Sequence, residues 1–144
     1  MRSKLIAEDQ GRKVYALVLD KGDEAKKAIS DFARQHGLGA SQITAIGAFQ
    51  KVTLAYFDRE RKEYLQIPVD EQVEVLSLVG DVVIDRGEPS VHAHCVVGRR
   101  DGTTRGGHLM EGHVWPTLEV IVSESPEHLQ KRYDPETGLT LINP

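Results

Sequence analysis

The stretch "HAHCVVGRRDGTTRGGHLMEG", residues 92–112, sets His92, His94 and His108 around a tight Asp101-Gly102 turn. With His113 just beyond it, the segment holds four of the chain's six histidines. Side chains on a strand alternate between faces, and residues i and i+2 lie about 6.5–7 Å apart on one face. His92 and His94 therefore share a face, and Cys95 points away from them. Whether His108 joins them depends on the loop. A two-residue Asp101-Gly102 loop pairs Arg100 with Thr103 and sends His108 to the far side. A three-residue loop, Arg100-Asp101-Gly102, pairs Arg99 with Thr103 and sets His94 directly opposite His108, with facing Cβ atoms about 4.5–5.5 Å apart. The sequence allows both registers, and a slip of one residue moves every side chain to the other face. Gly106-Gly107 adds the option of close backbone approach or of a compensating bulge.

Working outward, "RKVYALVLD" (12–20) is apolar on both faces and reads as a strand covered on both sides. "KGDEAKKAISDFARQHGLG" reads as the one main helix. Asp23 is its expected N-cap, Ala25, Ala28, Ile29, Phe32 and Ala33 form an apolar stripe, and Gly37 follows its end. "SQITAIGAF", "KVTLAYFD", "EYLQIPVD" and "EQVEVLSLVGDVVID" read as further strands, with Gly80 marking a bulge or kink. "TLEVIV" reads as another, and Pro126 opens a short terminal helix, "PEHLQKRY". The expected class is α+β: one domain, residues 1–144, with an antiparallel sheet of several short strands and one flanking helix.

The chain has 144 residues, 28% of them charged, and a formal net charge of −4. No run of Lys or Arg exceeds two residues, so no strong footprint for nucleic acid or an anionic membrane is visible. The single cysteine excludes an intrachain disulfide. The first residues lack a long apolar segment, and a cytoplasmic protein without a membrane partner is expected.

Three histidines on a rigid hairpin suit zinc, which takes imidazole nitrogen and prefers four ligands. Three protein ligands leave one position for water, a carboxylate or a partner.

The pattern "PSVHAHCVVGRRDGTTRGGHLMEG", after "VEVLSLVGDV" and before "PTLEVIV", resembles the PPC (plants and prokaryotes conserved) domain. The resemblance extends over essentially the whole chain. It implies an antiparallel sheet with a flanking helix, a homotrimer, and one zinc ion per chain held by His92, His94 and His108. In plant nuclear proteins the domain follows AT-hooks and carries a DNA-binding label. The Arg-Gly-Arg-Pro core of an AT-hook is missing here; only "GRK" at 11–13 comes near it. DNA binding is therefore expected to be weak. Strands with two apolar faces and a single helix to cover them also favour subunit contact.

Several residues stand as auxiliaries. Glu119 interrupts "TLEVIV" and is either a solvent-facing residue or a carboxylate that orients an imidazole. His113 falls on the opposite face of an unbroken strand from His108, unless a turn at Glu111-Gly112 returns it as a ligand. Arg99, Arg100 and Arg105 flank the turn and are candidates to hold an anion near the metal. Three functions follow: a trimeric zinc-binding domain with a regulatory or DNA-associated role, a zinc-dependent hydrolase with Glu119 or Glu111 as base, or a sensor of a small molecule or anion bound at the metal.

Overall fold

In the computed structural model, which describes residues 1–144, the second arm of the histidine hairpin and "TLEVIV" belong to one continuous strand of 21 residues. The elements in chain order are β1 (Arg2–Asp9), β2 (Arg12–Asp20), α1 (Ala25–His36), β3 (Ala40–Asp58), β4 (Glu63–Val69), β5 (Val73–Asp85), β6 (Glu88–Gly98), β7 (Thr104–Glu124), β8 (Gln130–Asp134) and β9 (Leu139–Asn143). The expected short strands are thus merged into long ones. "SQITAIGAF" and "KVTLAYFD" both lie within the 19 residues of β3. A strand of this length bends without breaking because its register shifts. The β3–β7 ladder slips between Gly47 and Phe49, between Phe49 and Lys51, and between Thr53 and Leu54.

The pairings β3–β5, β5–β6, β6–β7 and β7–β3 form a closed circuit. β2 and then β1 extend from β7, and β4 extends from β3. The β8–β9 hairpin attaches to β5 by a parallel bridge at Ile84 and Gln130, so the sheet is mixed and not purely antiparallel. That hairpin replaces the expected terminal helix. "PEHLQKRY" offers only Leu129 and Tyr133 as large apolar positions, too few for a buried helical stripe. Asp134, by contrast, accepts from the backbone of Glu136 and Thr137 and turns the chain. β1, exposed at every position, had no apolar alternation to reveal it. Its turn, Gln10-Gly11 with both φ positive, has the two-residue form favoured by hairpins.

The helix buries Ala25, Ile29, Phe32 and Ala33, as its stripe predicts. Its N-cap is Glu24 and not Asp23: Glu24 accepts from the backbone of Lys26 and Lys27, and also from Gly112 of β7. Asp23 instead accepts from the Asp20 backbone in the preceding turn. The longer glutamate reaches both the helix end and the sheet, which fixes α1 against β7. Gly37, at φ 63°, closes the helix in the left-handed conformation.

Gly80 is neither a bulge nor a kink. It pairs regularly with Ile43 on one side and Ala93 on the other, and the slips in β5 lie near Leu76. A Cβ on Gly80 would stand 2.1 Å from the His92 carbonyl oxygen and 2.7 Å from the Ala93 Cα. Glycine is needed there because the β6 backbone lies so close at that point that it leaves no space for a side chain. Gly80→Ala is expected to lower stability by about 2–3 kcal/mol, since the overlap is with backbone and not with a flexible side chain. Gly106→Ala, whose nearest contacts would lie at 3.5 Å, should cost far less. Thermal or urea melts of the two variants, compared with the parent, check this.

Candidate metal centre

The loop Arg100-Asp101-Gly102 has three residues. Arg99 donates its backbone N–H to the Thr103 carbonyl at 2.8 Å, Gly102 donates to the Arg99 carbonyl at 2.9 Å, and Gly102 sits at φ 81°. Asp101 accepts from the backbone and the hydroxyl of Thr103, which favours the tight form. Gly98 then pairs with Thr104, and His94 stands directly opposite His108. Gly107 lets β3 close on this hairpin, because a Cβ there would stand 2.5 Å from the Ala55 carbonyl oxygen.

The three imidazoles form a near-equilateral group. Ring centroids are 5.2 Å apart for His92–His94, 5.1 Å for His92–His108 and 5.6 Å for His94–His108. One ring nitrogen from each lies within 4.8 Å of the others. Tyr64 of β4 covers His108 with its ring, at 4.7 Å between centroids. Burial, reinforced by the charges of Lys26 and the two other imidazoles and by that of Lys131, pushes His108 down to about 4. Burial and then the charge of His92 lower His94 as well. Both rings are therefore held in the neutral form that a metal needs.

Two buried side-chain atoms in the whole chain lack a hydrogen-bond partner, and both belong here: Nδ1 of His108 and Oδ1 of Asp81. Buried polar atoms are ordinarily satisfied. An unpaired imidazole nitrogen inside a ring of two others is what a cation would satisfy, so the residues present fit a metal ion. Asp81 lies opposite His92 in the β5–β6 ladder, with Oδ2 3.5 Å from His92 Nδ1 and Oδ1 3.4 Å from the Lys131 ammonium. Burial raises the Asp81 carboxyl, but His92 and Lys131 outweigh it and hold the group below the usual carboxylate range. A carboxylate at Nδ1 fixes the ring's orientation and leaves Nε2 for a ligand role.

The sequence reading had offered Glu119 for this orienting part. Glu119 is exposed and lines a different surface, among Val18, Ile46 and Ile121. His113 stays outside the cluster, with its Nε2 2.5 Å from Glu111 Oε1 in a separate groove with Lys51 and Asp70. Arg99 is bound to Glu71 at 2.5 Å, and neither Arg99 nor Arg105 lines the histidine cleft. The cations that do line it are Lys26 of α1 and Lys131 of β8. Lys131 had been assigned to the terminal helix, and Lys26 only to a helix surface. Asp81 did carry a readable signal: a two-residue turn at Arg86-Gly87, both at positive φ, counts back to pair Asp81 with His92. Cys95 is buried at 1% exposure, and burial pushes its thiol up to about 12, which removes it as a nucleophile.

The profile of the Plants and Prokaryotes Conserved (PCC) domain, also abbreviated PPC, matches residues 6–126. The chain belongs to this family. A PPC protein from Pyrococcus horikoshii shares 33% identity and superposes with a TM-score of 0.86, each chain covered to 91%. A metal-containing protein from Archaeoglobus fulgidus shares 32% identity at TM-score 0.86, over 100% of this chain and 99% of that one. A protein from Bacteroides thetaiotaomicron, described as a candidate DNA-binding protein, shares 26% at TM-score 0.86, with 95% and 94% covered. Among curated proteins, the bifunctional protein GlmU of Synechococcus sp. (strain JA-3-3Ab) is 34% identical over 129 residues. This PPC chain aligns over 88% of its own length and spans 20% of that relative's.

Proposed function

We propose that the protein is a homotrimeric PPC domain whose His92, His94 and His108 hold one zinc ion per chain, serving a regulatory or small-molecule-sensing role and not hydrolysis. The carrying observation is the unpaired, buried His108 Nδ1 within a cluster of three imidazoles. The Archaeoglobus relative, described as metal-containing, supports the same reading. Zinc suits an all-imidazole set, and when bound it supplies a Lewis-acid position short of one ligand. Hydrolysis there would need a general base within reach. Glu119 lies on another surface, Glu111 is engaged by His113, and Asp81 stands behind His92, at its Nδ1. Protein purified without an affinity tag should contain close to one zinc per chain by elemental analysis. His94→Ala should lose it, and full occupancy in a His92/His94/His108 triple alanine variant would end the proposal.

The trimer is supported by an uncovered apolar face. Leu17, Leu118 and Val120 point into the core, while their neighbours Val18, Ile46, Leu76, Val79 and Ile121 face outward. Ile46 is 60% exposed, Leu76 53% and Val79 50%. The two-sided burial that the apolar pattern of residues 12–20 predicts is thus half met within one chain. A contiguous apolar patch of this kind marks an interface. Light scattering after size exclusion should give about three times the chain mass of 16.0 kDa. Ile46→Glu should shift it toward monomer.

A DNA-associated role reaches this chain through relatives such as the Bacteroides protein. The electrostatics argue for weak contact: three chains at −4 each give −12. Several arginines are already neutralised, Arg34 by Asp31 and Glu88, Arg99 by Glu71 and Arg2 by Asp20. No helix is long and apolar enough to cross a membrane. Duplex DNA should bind no more tightly than about 10 μM at physiological salt, with little preference for A·T-rich sequence and a steep loss as salt rises. Fluorescence anisotropy at two salt concentrations measures this.

A further inference from the structure

The histidine cluster opens into a cleft of about 660 Å³, within the range that holds small molecules. Its walls differ in character. Phe57, Tyr64, Leu139 and Leu141 give it an apolar side, and Lys26 and Lys131 bring two ammonium groups to the histidines. The Lys131 side chain is only 7% exposed, and its one carboxylate contact, to Asp81, is a loose 3.4 Å. The Lys26 ammonium is half-buried, and no carboxylate lies within ion-pair distance of it. Charged groups are seldom withdrawn from water without a partner. Two lysines from elements distant in sequence, converging on one cleft and incompletely paired, point to an anion.

The charges decide when that anion binds. Lys26 and Lys131 are balanced by Asp81 at the cluster and Asp85 on the lining. The two ammonium groups and the two carboxylates thus offset each other. A dication at the histidines makes the cleft doubly positive, so affinity for an anion should appear only with the metal in place, and by linkage each should tighten the other.

We propose that this cleft binds a small organic carboxylate, its charged end at the histidine cluster between Lys26 and Lys131 and its apolar body against Phe57, Tyr64, Leu139 and Leu141. This rests on the metal reading above. The apolar wall favours a carboxylate with a hydrophobic body over a bare inorganic anion, and the lysines take the part that sequence alone had given to Arg99 and Arg105.

The test uses the full chain loaded with cobalt(II), whose visible spectrum reports changes at the metal, and benzoate as the probe. Benzoate should perturb the spectrum saturably and give a calorimetric isotherm, and acetate, lacking the apolar body, should bind several-fold more weakly. Lys26→Met should weaken benzoate about tenfold while leaving cobalt stoichiometry unchanged. Lys131→Met, also checked for folding by circular dichroism, should weaken it similarly. Cobalt-loaded protein that ignores benzoate, equal affinity in Lys26→Met and the parent, or equal binding to metal-free protein would each overturn the proposal. Acetate as tight as benzoate would overturn the apolar wall. Failure of the metal reading shows separately, as a protein that retains neither cobalt nor zinc before any benzoate is added.

Discussion

The constraint on which the site depends is the close approach of backbones at two glycines. Gly80 lets β6 lie against β5 at His92, and Gly107 lets β3 lie against β7 at His108. Both contacts leave no space for a Cβ, so the circuit β3–β5–β6–β7 closes with this backbone approach only with glycine at those positions. Closure converts two facing strands into a wall with fixed register. The three-residue loop then sets His94 opposite His108 and leaves His92 one step along the same face. Three side chains from two strands are held together by backbone pairing, and no side-chain flexibility is needed to assemble them.

The same closure creates the electrostatic character of the cleft. α1, capped by Glu24 onto the Gly112 backbone, brings Lys26 over the histidines. The β8–β9 hairpin, docked along the end of β5, brings Lys131 from the other side and supplies Leu139 and Leu141. Burial first, and then the like charges around it, disfavour protonation of His108 and push it down to about 4. Asp81 links these parts, touching a histidine and a lysine at once.

The two surfaces of the sheet divide the work. The face toward α1 and the closed circuit is dry and packed. The opposite face of β2, β7, β3 and β5 is apolar yet uncovered, with Glu119 set among its hydrophobic residues. Glu119 is exposed on that face and does not reach the histidines.

Much was legible in the chain itself. The apolar stripe fixed α1 and its end at Gly37, the H-x-H spacing put His92 and His94 on one face, and alternation identified most strand segments. Cys95 read as pointing away from His92 and His94, and it lies buried in the core. The hairpin register was narrowed to two alternatives, and only the fold chose between them, because a one-residue slip changes no local propensity. The terminal tail misled for a related reason: a proline and a few helix formers carry little weight when no apolar stripe can be buried, and the docking edge of β5 took the segment as strand. Glu119, Arg99 and Arg105 were drawn toward the site by nearness in sequence. Asp81, Lys26 and Lys131 arrived from β5, α1 and β8 through pairing and packing. Residue types and spacing set what could be a ligand, and the Arg86-Gly87 turn could have placed Asp81 beside it; that Lys26 and Lys131 stand there is decided by contacts between elements far apart in the chain, which local sequence does not encode.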